Sequence, residues 1–589
     1  MSQQSHTEQF PKNQPPLAER LASARQLVTK AISAVPPHPE PLPSPNSDQG
    51  EPSNLLQDVK KLGFDDFDTL VHFFSSAVEG QINDNELLLE NLIQLFAKLP
   101  QNSVKGKRLE NGLINQLWNG IDHPPMTTLG EDHKYRAADG SGNAIHDPKM
   151  GAAGQPYARS TPAKSYQNPN QPEPEVIFDM LFARGGEFKP HPNKISSFMF
   201  YLATIITHDI FQTKNGTSPI NQTSSYLDLA PLYGRNQAEQ DLMRTKKNGL
   251  LKPDTFSSKR VLGFPPGVGT LLIMFNRYHN YVATNLATIN EGGRFQKPTG
   301  DDPEKTAKYD NDLFQTARLI TCGLYVSIIL RDYVRTILGM NRTASSWALD
   351  PRTNEGKSIL SQQTPEGTGN QVSVEFNLIY RWHNTISPKD EQWTKDVMKK
   401  VLGKDPTEMS LMEFGHAMRD WEQEIPDDPA QRGFMDLPRN ADGTLNEADL
   451  AKIFKESVDD VAGSYGANRI PEVMRPIELM GIMASRSWNC ATLNEFREHF
   501  GLTRHPTFED INPDKEVAAK LRFLYGSPDA VELYPGLMAE KAKPPMAPGS
   551  GLCGNFTMTR AILSDAVALV RGDRFYTIDY TPKNLTNWG

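Results

Sequence analysis

Apolar residues return every three or four positions over several long stretches of this chain: Lys194 to Phe211, Thr270 to Ile289, Asp310 to Leu338, Leu411 to Gln423 and Glu516 to Tyr525. That period marks helices with one face turned to a core. Leu70-Val-His-Phe-Phe and Leu87 to Phe96 carry the same pattern and place the start of ordered structure near Asp58. Strand-like alternation is scarce, no repeat is found, and roughly Pro124 to Pro174 is punctuated by Gly and Pro as loops are. The fold class predicted is mainly α, a large single helical domain over residues 55–589. Residues 1–54, rich in Pro, Gln and Ser, carry too little apolar surface to offset the entropy of ordering and are expected to be disordered.

Composition narrows the setting. An apolar share of 38% and a charged share of 23% fit a soluble globular protein, and a net charge of −9 argues against nucleic acid as a partner. Cys322, Cys490 and Cys553 lie far apart and form neither a metal-ligand spacing nor a disulfide framework. The first ten residues lack the apolar core of a signal peptide, and Ile195 to Ile206 is too short to span a bilayer. The expectation is an intracellular chain, cytoplasmic or associated with lipid bodies; contact with lipid surfaces and a homo-oligomeric state stay open.

Candidate chemistry sits in Glu375-Phe-Asn-Leu-Ile-Tyr380-Arg-Trp-His383. Read as helix, positions three apart share a face, so Tyr380 and His383 are expected to enter one cavity. An imidazole there suits a haem iron, with the phenol beside it as a one-electron relay. A short Tyr-x-x-His is common, so a second histidine site is needed. Thr207-His208-Asp209 supplies it, ending an apolar helix in adjacent titratable groups. Ser224-Ser-Tyr226-Leu-Asp228-Leu-Ala230 then offers alternating oxygen donors of the kind Ca²⁺ takes, with Asp209 as a second carboxylate.

These three segments resemble the animal-type haem peroxidase superfamily, and the stretch at Tyr380 resembles the cyclooxygenase segment with the radical tyrosine and the proximal haem histidine. The likeness continues in order through Arg277-Tyr-His-Asn280, Thr316-Ala-Arg-Leu-Ile, Arg331-Asp-Tyr333, Ser485-Arg486, Phe496 to Leu502, Tyr525-Gly-Ser-Pro528 and Gly572-Asp-Arg-Phe575, over roughly residues 130 to 580. Within it the chain is most similar to the fungal linoleate dioxygenases, psi-factor-producing oxygenases and linoleate diol synthases, through Tyr135 to Gly142, Phe188 to Ser197 and Glu375 to His383. The resemblance implies an α-helical fold and b-type haem. His383 would be the proximal iron ligand, His208 the distal histidine and Tyr380 the radical-bearing residue. Asp209, Ser224, Tyr226 and Asp228 would hold calcium. The implied reaction removes hydrogen from carbon 8 of an unsaturated C18 fatty acid (linoleate, or oleate or linolenate) and adds O2, giving the 8R- or 10R-hydroperoxide in oxylipin biosynthesis.

Departures sharpen this. Thr204 stands where mammalian relatives carry a distal Gln, which disfavours general peroxide turnover. Phe264 and Pro265 replace the residues that tether haem covalently, so non-covalent haem is expected. Gly481 falls where an Asn supports the proximal histidine, and Ala230 replaces a hydroxyl at the end of the calcium loop. No C-terminal haem-thiolate domain is expected within these 589 residues. A haem peroxidase acting on small reductants or halide, and a non-catalytic calcium-dependent interaction protein, are the competing readings. Several patterns are set aside: Gly549 to Gly554 fits a dinucleotide motif without its preceding strand, Asn440 to Asp449 lacks the first ligand of an EF-hand, Asp301 to Glu304 reads as a charged surface loop, and Cys553 as a bland cysteine rather than a haem ligand.

Overall fold

The computed structural model describes residues 88–99, 104–118, 134–165, 170–340, 343–352, 365–544 and 554–589. The expectations for residues 1–54, the Leu70 stretch and Cys553 lie outside them. Among the described residues the fold is helical, with only isolated β-bridges such as Ala158–Ser373 and Ala183–Ile470.

The principal helices are α1 (Leu88–Lys98), α2 (Val104–Trp118), α3 (Ser197–Ile210), α4 (Pro266–Ile289), α5 (Pro303–Ile328), α6 (Val374–Ile379), α7 (Pro388–Leu402), α8 (Arg475–Ser487), α9 (Leu533–Ala539) and α10 (Phe556–Arg571). Local chemistry sets where they begin. Ser196 Oγ accepts the Phe198 N–H to open α3, and Ser373 Oγ accepts the Phe376 N–H to open α6. At α5, Pro303 occupies the first turn and Asp302 accepts the Lys305 N–H, so the acidic Asp301–Glu304 stretch is a helix start and not only a surface loop. Asn440 to Asp449 forms a turn in which Asp442 accepts the Thr444 N–H, followed by a helix capped by Asn446.

At the centre, α4 packs along α5 and against α3, while α6 contacts α8 and α10, and α10 contacts α2. α5 runs on without a break through a π-helical turn, Ile329–Tyr333, into Val334–Ile337. This span is long and apolar enough to cross a bilayer, but 83% of its most apolar window is buried against the rest of the protein. It is the core helix. Phe314, Tyr325 and Val326 on α5 are fully enclosed, and each such side chain contributes about 1.5–3 kcal/mol of hydrophobic stabilisation.

One expected element is corrected. The helix carrying the Tyr380 stretch stops at Ile379: Tyr380 adopts φ −86°, ψ 52°, and His383–Thr385 forms a separate 3-10 turn. Tyr380 and His383 therefore do not share a helical face. Downstream, Pro388 occupies the first turn of α7 and keeps Ser387 before it extended at φ −72°, ψ 163°, so α7 begins as a separate helix.

Candidate active site

α3 brings the distal candidate into place. Its Tyr201, Ala203, Ile205, Ile206 and Asp209 are buried, while Thr204, Thr207 and His208 keep partial exposure along one stripe. Both threonine hydroxyls donate to their own helix, Thr204 to the Phe200 carbonyl at 2.9 Å and Thr207 to the Ala203 carbonyl at 2.8 Å. Thr204 thus commits its proton to the backbone. His208 packs on Phe264 with ring centroids 4.7 Å apart. Burial, then the charges of Arg260 and His383, push its imidazole down to about 3. The ring is neutral at physiological pH, with a ring nitrogen open to accept a hydrogen bond. A polar cavity of about 380 Å³ opens beside it, lined among others by Gln212, Arg235, Lys259, Arg260 and Arg432.

His383 lies within electrostatic reach of His208. Its side chain is 26% exposed, and Nδ1 is hydrogen-bonded to the fully buried Glu478 carboxylate on α8. An Nδ1–H donated to a carboxylate leaves the lone pair on Nε2, the atom a metal would take. The other Glu478 oxygen accepts the phenol of Tyr534 on α9. Burial and the Glu478 charge hold that phenol well above its ordinary value, so it stays a donor.

Tyr380 is buried, with its hydroxyl 2.7 Å from the hydroxyl of Tyr333. Tyr333 belongs to the π-helical turn that extends α5; π-turns often mark functional positions. The Tyr380 ring meets Phe376 and Trp382 at 5.5 Å each, and Trp382 meets Phe200 of α3 at 6.3 Å. Aromatic packing, not a shared helical face, therefore links the tyrosine to the histidine-bearing turn and to the distal helix.

The residues expected to hold calcium also lie together, but most of their oxygens are engaged. Asp209 accepts the Ala230 N–H at 2.6 Å and the Leu229 N–H at 3.2 Å, and Asp228 faces Arg318 at 3.5 Å. Ser224 Oγ donates to the Tyr226 carbonyl at 3.3 Å, and the Tyr226 hydroxyl donates to Met150. Burial, then the Asp228 charge, raises Asp209; burial raises Asp228 against the pull of Arg318 and Arg136. Among the described residues no cluster of three or more His, Cys, Asp or Glu side chains is arranged to hold a metal ion.

The animal haem peroxidase family pattern matches residues 135–219 and 263–587. The chain belongs to that family. Over 547 residues it is 60% identical to linoleate diol synthase of Gaeumannomyces graminis, covering 92% of this chain and 47% of that protein. Over 545 residues it is 51% identical to linoleate 10R-lipoxygenase of Aspergillus fumigatus, covering 91% and 48%. The chain thus spans about half the length of these curated relatives. Fatty acid alpha-dioxygenase of Oryza sativa shares the fold, with a TM-score of 0.58 at 17% identity over 91% of this chain and 93% of that one.

Haem is the cofactor this family membership implies, and the residues present fit it. His383 offers an Nε2 left free by the Nδ1 bond to Glu478, His208 lies within electrostatic reach of it with a neutral imidazole, and the two neighbours of His383 leave buried polar atoms unmet. These are Trp382 Nε1 and both amide atoms of Asn384, which lack partners among the described residues. His383 would hold the iron. Glu478, Tyr333 and Tyr534 escaped the reading of the sequence. Glu478 lies one helical turn before Gly481, the position where support for His383 was sought, so scanning that turn for a carboxylate would have found it.

Proposed function

We propose that this chain is the dioxygenase unit of a fatty-acid-oxygenating member of the family, acting on linoleate or a similar unsaturated C18 acid. Tyr380 removes hydrogen from carbon 8, and O2 adds to give the 8R- or 10R-hydroperoxide. The observation that carries the reading is the buried Tyr380–Tyr333 hydroxyl pair, linked through Trp382 to the His383 turn. High identity to relatives named for linoleate chemistry supports the substrate class.

Haem, when bound, supplies the one-electron oxidising power drawn from a peroxide. The chain's own residues do the rest. His208, neutral at physiological pH, accepts the proton that a peroxide gives up. The Tyr380 phenoxyl radical takes a hydrogen atom from the acyl chain and becomes a phenol again. O2 couples with the carbon radical, and the resulting peroxyl radical takes the hydrogen atom back, which restores the phenoxyl and releases the hydroperoxide. Tyr333 fixes the oxygen that performs both transfers, and near-complete burial of Tyr380 keeps water from the radical. Placement matters most, since an error of about 1 Å can cost roughly a hundredfold in rate. The haem is held without covalent links, because Phe264 and Pro265 carry no carboxylate or thioether.

Purified haem-loaded protein incubated with linoleate, followed by chiral product analysis, tests this. Tyr380→Phe should abolish oxygen uptake while leaving oxidation of a small reductant by peroxide intact. Oxygenation that persists in the variant refutes the reading.

A further inference from the structure

We infer that Glu478 and Tyr534 act as opposed controls on the electron-donor strength of His383. The inference rests on haem binding through His383, and it deepens that reading by assigning two positioning residues.

The geometry is a buried relay across three elements. His383, in the turn after α6, is hydrogen-bonded through Nδ1 to Glu478 of α8, and the second oxygen of the same carboxylate accepts the Tyr534 hydroxyl of α9. Glu478 and Tyr534 are both fully enclosed. In such a low-dielectric setting each hydrogen bond changes the strength of the next. A carboxylate accepting Nδ1–H draws the proton toward itself and gives the imidazole anionic character, which makes Nε2 a stronger donor. A phenol donating to the far oxygen withdraws charge from the carboxylate and weakens that effect. Removing the carboxylate's charge and removing the phenol must therefore push the ligand in opposite directions.

Gly481 keeps the relay in register. A Cβ there would lie 2.3 Å from Arg381 Nη1 and 2.9 Å from Tyr534 Cε1. Without it, the Arg381 guanidinium can sit 5.1 Å from the Tyr534 ring centroid. A side chain at 481, such as the Asn of mammalian peroxidases, would displace both.

The test compares haem-loaded wild type, Glu478→Gln and Tyr534→Phe by ferric/ferrous reduction potential and by the iron–histidine stretching frequency of the ferrous form. Glu478→Gln should raise the potential and lower the stretch; Tyr534→Phe should lower the potential and raise the stretch. A merely structural role would move both variants the same way, and such parallel shifts, or no shift, overturn the inference. If Glu478→Gln does not fold, the downward shift of Tyr534→Phe decides alone. A wild type that binds haem without an iron–histidine stretch contradicts the His383 reading itself, an outcome distinct from unshifted variants.

Discussion

Truncating Asp209 should damage the distal side more than neutralising it. Its buried carboxylate accepts the Ala230 and Leu229 N–H groups at 2.6 and 3.2 Å. Leu229 is held at φ 57°, in the left-handed region, which costs a residue with a Cβ about 1–2 kcal/mol. The turn it forms leads into Ala230 and Pro231, which line the cavity beside His208. Asp209→Ala leaves two buried donors unmet, at about 1–3 kcal/mol each, and frees Leu229 to relax. The expected loss is about 2–6 kcal/mol, a large part of the roughly 5–15 kcal/mol that holds a typical domain together. Asp209→Asn keeps one acceptor oxygen, leaves one N–H unmet and removes the Asp228 repulsion that helps raise Asp209. It should lose about 1–3 kcal/mol, roughly half as much. Urea unfolding followed by circular dichroism measures both variants. Equal damage from the two, or a loss below about 1 kcal/mol for Asp209→Ala, would show that the carboxylate does not hold the turn.

Further outcomes follow from the same contacts. His208→Ala should retain haem absorbance yet react with hydrogen peroxide about 10²–10⁴-fold more slowly in stopped-flow mixing; an unchanged rate would remove His208 from proton transfer. Acidified organic solvent should extract all haem from the loaded protein, and haem retained on the denatured chain would contradict non-covalent attachment. The buried histidines should work against the fold in acid. His191 and His279 are both buried and pushed down to about 4, so between pH 6.5 and 4 the unfolded chain binds protons that the folded chain does not. Each histidine therefore takes away roughly 2–3 kcal/mol by pH 4.5, while buried carboxyls held high, such as Asp390 at about 7, act in the opposite sense over the same window. Urea midpoints of wild type and His279→Gln that change in parallel from pH 7 to 4.5 would contradict this.

Much of the frame was legible because long amphipathic helices announce themselves by period. The apolar stretch Lys194 to Phe211 became α3, and Asp310 to Leu338 became α5 with its extension. His208 stood out as a candidate at the end of such a stretch, and it lines the polar cavity beside α3. The Tyr380–His383 relation was misread as one helix face because a short apolar run suits a helix and a turn equally well. The Ser387-Pro388 pair marked a new helix start, but no proline or glycine marks Ile379 as the end of α6. The π-turn that aims Tyr333 at Tyr380 has no period of its own, and a shift of one residue within an apolar helix leaves the pattern unchanged. Glu478 lies 95 positions from His383, and only tertiary packing joins them. The calcium loop showed the reverse limit: the oxygen-bearing residues were visible, but not that backbone N–H groups and Arg318 would engage them.

The central claim is that Tyr380 takes a hydrogen from carbon 8 of the fatty acid, and deuterium substitution tests it most directly. Linoleate deuterated at carbon 8 should be oxygenated more slowly than unlabelled linoleate by the haem-loaded protein, while deuterium at carbon 11 should leave the rate unchanged. A slowing with the carbon 11 label alone, or no slowing with either, would contradict the account.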